Sequence, residues 1–266
     1  MKSARVGHLP RKRFGQNFLQ DDAVIQAIAR AIAPQADDHL VEIGPGQGAL
    51  TEALVPSRCR FDAIELDRDL ITLLLASFSV YPGFALHSAD ALTFDFKQLV
   101  KDGQKLRIIG NLPYNISTPI IFKLLESAGS ILDMHFMLQR EVVERLAAQP
   151  GSKHWGRLGI MSQYQCHVSH LFDVPPEAFQ PPPKVQSAIV RLSPKSPGEV
   201  PRCDRKKLAS VVQLAFSQRR KTLRNNVKGV FDDQQLEALH IDPGCRAETL
   251  SLSAFVSLAN TLAESV

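Results

Sequence analysis

A chain of 266 residues is long enough for one substantial domain and a smaller companion. Its 44% hydrophobic and 22% charged residues are typical of an ordinary globular protein, and no apolar run approaches the length that crosses a bilayer. The net charge of +4 is modest, so neither a strongly acidic nor a strongly basic whole is in play.

The N-terminus is basic but lacks the apolar core of a secretory signal, which predicts a cytoplasmic protein. Lys2, Arg5, Arg11, Lys12 and Arg13 precede the first acidic residue, Asp21. Ala23, Val24, Ala27, Ile28, Ala31 and Ile32 then recur at helical spacing, with Asp21 or Asp22 as the cap. His39 to Ile43 reads as a buried strand, Gly44-Pro45-Gly46-Gln47-Gly48 as a turn, and Ala49 to Val55 as a helix. Gly44, Gly46 and Ala49 satisfy a degenerate nucleotide-binding fingerprint, a weak signal alone.

Three further strand-like runs follow, and each ends on a polar group. Phe61 to Ile64 ends at Glu65, about twenty residues beyond Gly44, the spacing at which an acid meets ribose hydroxyls. Phe84 to Leu86 leads to Asp90, suited to an adenine amino group. Leu106 to Ile109 leads through Gly110 to Asn111-Leu112-Pro113-Tyr114. Any one of these polar residues is commonly a cap or a solvated loop. Their recurrence, counted with Glu42, predicts a ligand site along one sheet edge.

The tetrapeptide fits methylation of an amino group conjugated to a ring or carbonyl. Such a nitrogen has a delocalised lone pair. An Asn oxygen and the carbonyl beside Pro113 can accept its hydrogens, and Tyr114 offers a flat face to a base. A bare turn with a packed tyrosine is the alternative. The acidic lining (Glu42, Glu65, Asp67, Asp90) suits a sulfonium better than a pyrophosphate, which favours S-adenosylmethionine over a nicotinamide dinucleotide.

Strands and helices alternate to about Ala148, with Ile131 to Leu138 a strand and Gln139 to Ala148 a helix. Val168 to Val174 and Ala188 to Leu192 are expected to pair antiparallel around Pro181-Pro182-Pro183. Ser193 to Pro201 reads as a linker, followed by helices at about 205–216, 218–228, 233–239 and 252–262. Arg202, Arg205, Lys206 and Lys207, then Arg219, Arg220, Lys221, Arg224 and Lys228, carry clustered charge interrupted only by Asp204. Such clusters are either solvated faces or phosphate contacts. Beside a base-methylating site, phosphate contact is the better reading. Cys59, Cys166, Cys203 and Cys245 are scattered, and His167 and His170 lack a ligand cluster, so reduced thiols and no metal site are expected.

Taken in order, Arg13-Phe14-Gly15-Gln16-Asn17-Phe18-Leu19, Glu42 to Gly48, Glu65-Leu66-Asp67, Asp90-Ala91, Asn111 to Tyr114 and Pro181 to Ser187 resemble the ribosomal RNA adenine dimethyltransferases. The likeness runs from about Arg11 to the final helix and is nearest to the bacterial small-subunit branch, which dimethylates two adjacent adenines in a hairpin near the 3′ end of 16S rRNA. Gln186 stands where many relatives have an acid. The resemblance implies an α/β, Rossmann-like methyltransferase domain over 1–195, a linker at 196–201 and a helical RNA-binding domain over 202–266.

It also implies S-adenosylmethionine contacts at Asn17, Leu19, Gly44, Glu65, Asp90 and Asn111, with Gly46 keeping the loop open. The target adenine is expected between Tyr114 and Phe179. Arg11, Lys12, Arg13, Lys184, Arg219, Arg220, Lys221 and Arg224 are the expected RNA contacts. The partner is 16S rRNA in a small-subunit precursor, met by a monomer with no membrane association. An RNA-binding assembly factor, a methyltransferase for large-subunit rRNA, DNA or a protein amide, and a nicotinamide dehydrogenase remain as alternatives.

Overall fold

The computed structural model describes residues 16–262. They form two compact units. The first comprises the described residues up to Val143 together with Ser169–Pro194; the second comprises Glu144–Val168 and the described residues from Lys195 onward. The segment Glu144–Val168, which the sequence reading puts in the first domain, thus groups with the C-terminal helices.

In the first unit β1 (Phe18–Leu19) is followed by α1 (Asp22–Ile32), capped by Asp21, whose Oδ1 accepts from Val24 N at 3.0 Å. Ile25, Ile28 and Ile32 form its buried stripe. Next come β2 (His39–Ile43), α2 (Ala49–Leu54), β3 (Arg60–Glu65), α3 (Arg68–Phe78), β4 (Phe84–Ser88), β5 (Leu106–Asn111), α4 (Ser117–Leu125), β6 (Ile131–Gln139) and α5 (Arg140–Leu146). After α6 (Arg157–Gln165) the chain adds β7 (Cys166–Val174), β8 (Phe179–Gln180) and β9 (Ser187–Pro194).

The seven-stranded sheet has the order β4-β3-β2-β5-β6-β9-β7. β2 pairs in parallel with both β3 and β5, β5 is parallel to β6, and β9 runs antiparallel to β6. Every residue of β2 is buried, as expected for a strand covered on both faces. The strand order reverses at β2, where the chain goes to β3 and β4 on one side and to β5 on the other. In open α/β sheets the crevice beyond the carboxyl ends at such a point is where ligands bind.

The opposite end of the sheet is fastened by Arg107. Its Nε and Nη2 donate to Asp133 at 3.0 and 2.8 Å, its Nη1 to Asp38 at 2.6 Å, and its Nη2 also to the Ile32 carbonyl at 2.7 Å. One guanidinium therefore ties β5, β6, the entry to β2 and the end of α1 together. A separate two-stranded ribbon pairs β1 with β8, Leu19 opposite Phe179. It brings the N-terminal segment to the ligand end of the first unit, where Gln16, Asn17, Phe18 and Leu19 all line the crevice.

The second unit packs α6 with α7 (Arg205–Ala215), α8 (Leu223–Asn226), α9 (Asp233–Ala238) and α10 (Leu252–Thr261). Trp155 Nε1 donates to the Leu250 carbonyl at 2.9 Å, and Phe216 stacks on Phe255 with centroids 5.8 Å apart. The expected linker is pinned within this unit: the Tyr164 hydroxyl bonds the Pro201 carbonyl at 2.9 Å.

The helix expected over 218–228 is reduced to α8. Asn226 Nδ2 donates to the carbonyls of Ala215 and Gln218 at 2.6 and 3.2 Å, closing off the end of α7. Leu223 N and Arg224 N donate to Cys245 and Pro243 carbonyls, so the backbone starts afresh there. Arg219, Arg220 and Lys221 consequently sit on an exposed loop. No helix of the described residues is long and apolar enough to cross a membrane.

Candidate active site

A cavity of about 210 Å³ opens beyond the C-terminal ends of β2, β3, β4 and β5. Its wall holds Asn17, Leu19, Gly44, Gly46, Glu65, Asp90 and the whole of Asn111 to Tyr114, whereas Asp67, expected in the acidic lining, is buried behind it on Gln16, and Phe179 is also not in the wall.

The glycine turn is shaped by backbone that other residues rarely adopt. Gly46 has φ +60°, and a Cβ on it would stand 3.2 Å from the Phe18 ring. Gly46 N donates to Glu65 Oε2 at 3.3 Å, while Leu66 N and Asp67 N donate to Glu65 Oε1 at 2.8 and 2.9 Å. Burial pushes the Glu65 carboxyl up, and these three bonds pull it partly back. A carboxylate has roughly four acceptor positions, so Glu65 is oriented yet can still accept from a ligand hydroxyl. Asp90 Oδ1 accepts from Leu92 N at 2.8 Å, which holds the third acidic strand end.

Glu42 lines the same cavity and is 1% exposed. Burial lifts its carboxyl to about 7, against a hydrogen bond from Thr51 Oγ1 at 2.6 Å. Among the described residues lining the cavity there is no lysine or arginine. A pyrophosphate would find no counter-charge here beyond a short helix end. Three carboxylates without a cation fit a positively charged ligand, so the residues present suit S-adenosylmethionine. Among the described residues no group of three or more His, Cys, Asp or Glu could hold a metal ion.

Asn111 ends β5, and its Nδ2 donates to the Asn17 carbonyl at 3.0 Å. That bond sets the amide orientation and leaves Oδ1 as an acceptor. Asn17 therefore acts through its backbone on Asn111. The Tyr114 hydroxyl stands 2.7 Å from Ser187 Oγ, and burial pushes the phenol up, so it stays protonated.

Phe179 stands opposite Leu19 of the wall. It is 3% exposed and packs in the core with Leu19, Val174, Ala178 and Ile189, and the cavity wall does not include it.

Lys184 is exposed on the Pro-rich segment, and Arg219, Arg220, Lys221 and Arg224 are exposed on the second unit, Arg224 with Asp233 at 3.2 Å. Arg11, Lys12 and Arg13 lie outside the described residues. Three contributors are given no role by the sequence reading, although Gln16 and Ser187 fall within the motifs that carry the resemblance: Thr51 on Glu42, Ser187 on Tyr114, and Gln16, whose Nε2 donates to Asp67 at 3.2 Å.

The sequence matches the family described as Ribosomal RNA adenine dimethylase over residues 7–264. A protein of Pseudomonas aeruginosa named Ribosomal RNA small subunit methyltransferase A is 60% identical over 257 residues, 97% of this chain and 96% of the relative. One of the same name from Saccharophagus degradans is 57% identical, covering 96% of each. Among solved structures, a dimethyladenosine transferase from Plasmodium falciparum superposes with TM-score 0.78 at 26% identity, over 91% of this chain and 95% of that one. The 23S rRNA methyltransferase ErmE gives 0.72 at 25% identity, over 92% and 99%. The fold is thus the Rossmann-like one of S-adenosylmethionine-dependent methyltransferases. With an acidic cavity above an Asn-Leu-Pro-Tyr strand end and a match that runs almost from end to end, the chain belongs to the ribosomal RNA adenine dimethylase family.

Proposed function

We propose that this protein, a cytoplasmic monomer, dimethylates the exocyclic amines of two adjacent adenines in the 3′-terminal hairpin of 16S rRNA during small-subunit assembly. The observation that carries the reading is Asn111: its amide is pinned through Nδ2 to Asn17 and keeps Oδ1 for an acceptor role beside the sulfonium-compatible cavity. Near-full-length relatives named for the small subunit support 16S over large-subunit rRNA.

S-adenosylmethionine, when held by the residues of this cavity, would supply an electrophilic methyl group and a neutral thioether leaving group. Glu65 takes the ribose hydroxyls, Asp90 the adenine amino group, and Glu42 adds negative charge on the floor. Asn111 Oδ1 and the Leu112 carbonyl, whose Pro113 neighbour has no N–H, accept the two hydrogens of the target amine. That pulls the nitrogen towards a pyramidal shape and aims its lone pair. Tyr114 supports the plane of the extruded base. The alkylated nitrogen is acidic and loses its proton to water, so no strong general base is required. Exposed Lys184, Arg219, Arg220, Lys221 and Arg224, with Arg11, Lys12 and Arg13, contact phosphates.

Asn111→Ala is expected to abolish methyl transfer while the thermal transition and overall fold persist. Tyr114→Ala is expected to weaken RNA engagement more than donor binding. Wild-type turnover by the alanine variant at Asn111, measured with labelled donor, would remove the assigned role.

A further inference from the structure

The Tyr114 ring sits on the loop between β5 and α4, but it is held from a different strand. Its hydroxyl is 2.7 Å from Ser187 Oγ. Ser187 opens β9, is fully buried, and lies opposite Gln139 at the end of β6. The preceding residue, Gln186, is clamped to the start of α5: Arg140 N donates to its carbonyl and Arg140 Nη1 to its side-chain oxygen, both at 2.9 Å. Asn111 is set from β5, on the other side of β6; Met137 of β6 lies opposite both Asn111 and Ile189. The acceptor amide and the aromatic ring are thus fixed by two strands with one between them. A hydrogen bond at the far end of a ring fixes the swing about its first side-chain torsion, the one that carries the hydroxyl from place to place.

We infer that Ser187 is a positioning residue for methyl transfer, anchoring the Tyr114 ring so that the acceptor base holds its place, and that it matters most for the second methylation. This rests on the adenine dimethylation reading above. An unmethylated amine offers two N–H groups to Asn111 Oδ1 and the Leu112 carbonyl. After one transfer a single N–H remains, so one of the two orienting bonds is gone. Alignment of the monomethyl base then depends more on its stack against Tyr114. A ring freed from Ser187 costs the second transfer more than the first.

The test is a time course on unmethylated small subunits with excess S-adenosylmethionine, counting monomethyl- and dimethyladenosine by nucleoside mass spectrometry. Wild type, Ser187→Ala, Tyr114→Phe and the double variant are compared, with donor affinity measured separately. Ser187→Ala should slow the second transfer by about five- to tenfold, the size of one hydrogen bond removed, and the first by less. Monomethyladenosine should accumulate while donor affinity holds. Tyr114→Phe removes the same bond from the other side and should give the same pattern, and the double variant should be no worse than either. An unchanged product ratio in Ser187→Ala overturns the inference. So do multiplying effects in the double variant, or an equal loss of both steps together with donor binding, the mark of a merely structural serine. No dimethyladenosine from wild type removes the function and this role together; wild-type dimethylation with an indifferent Ser187→Ala removes this role alone.

Discussion

Glu42 carries the clearest electrostatic consequence of any single residue in the cavity. Its carboxyl is lifted to about 7 by burial, so near neutral pH it is divided between two protonation states. The raised value means that the proton stays on below pH 7 and is lost as pH rises through it. A cation bound beside Glu42 favours the ionised form, so below pH 7 the donor must displace a proton. Donor affinity is therefore expected to fall about tenfold from pH 8 to pH 6, and Glu42→Gln should flatten that dependence. Calorimetric titration across this range checks it; the same slope in the Gln variant would show that Glu42 is not the titrating group. At this scale Glu42, Gly44, Glu65, Asp90 and Asn111 are legible in the sequence because each stands at a strand end beside a turn. The contacts of Ser187 and Gln16 are not: both residues fall in stretches that carry the family resemblance, but their partners lie 73 and 51 residues away. The packing of Phe179 is hidden from the sequence for a related reason. The way an aromatic in a Pro-rich loop faces depends on the pairing of β8 with β1, which neither short segment announces.

Among the elements, β2 and β5 matter most, because their adjacent ends form the crevice. Gly110 lets them approach: a Cβ there would stand 2.5 Å from the Ile43 carbonyl oxygen, a backbone atom that cannot swing aside. Gly110→Ala is expected to destabilise the protein by about 1–3 kcal/mol through overpacking and to lower Tm accordingly. It should also weaken donor binding, since Asn111 is the next residue. Thermal denaturation with an unchanged Tm would contradict this close approach. Strands β2 to β6 are readable as apolar runs of strand length closed by turn residues. Helix α6 escapes such reading because it is buried nearly all round, from Leu158 to Met161 and at Ser162 and Tyr164, so it carries no one-sided stripe. The long helix expected at 218–228 does not form because backbone donors at its middle are taken by the 243–245 loop, an interaction distant in sequence.

Across the whole molecule, charge and catalytic apparatus are divided along the chain. The cavity wall is acidic, while the exposed cluster at Arg219, Arg220 and Lys221 is basic. Alanine at these three positions is expected to weaken RNA binding. It should also lower the slope of log affinity against log salt by about one for each phosphate no longer neutralised. Filter binding at several salt concentrations checks it; an unchanged slope would place the phosphate-binding residues elsewhere. The boundary near residue 195 is visible as a Pro- and Gly-containing stretch, whereas the recruitment of Glu144–Val168 to the second unit is not, because packing partners of a non-contiguous segment leave no mark in composition.

The most direct test of the account is transfer of labelled methyl groups from S-adenosylmethionine to unmethylated small ribosomal subunits, with large subunits and the Asn111→Ala protein as controls and nucleoside mass spectrometry as the readout. The account predicts dimethyladenosine in the small subunit with wild-type protein alone. Retained binding to the small subunit without any methyl transfer, or methylation of the large subunit instead, would contradict it.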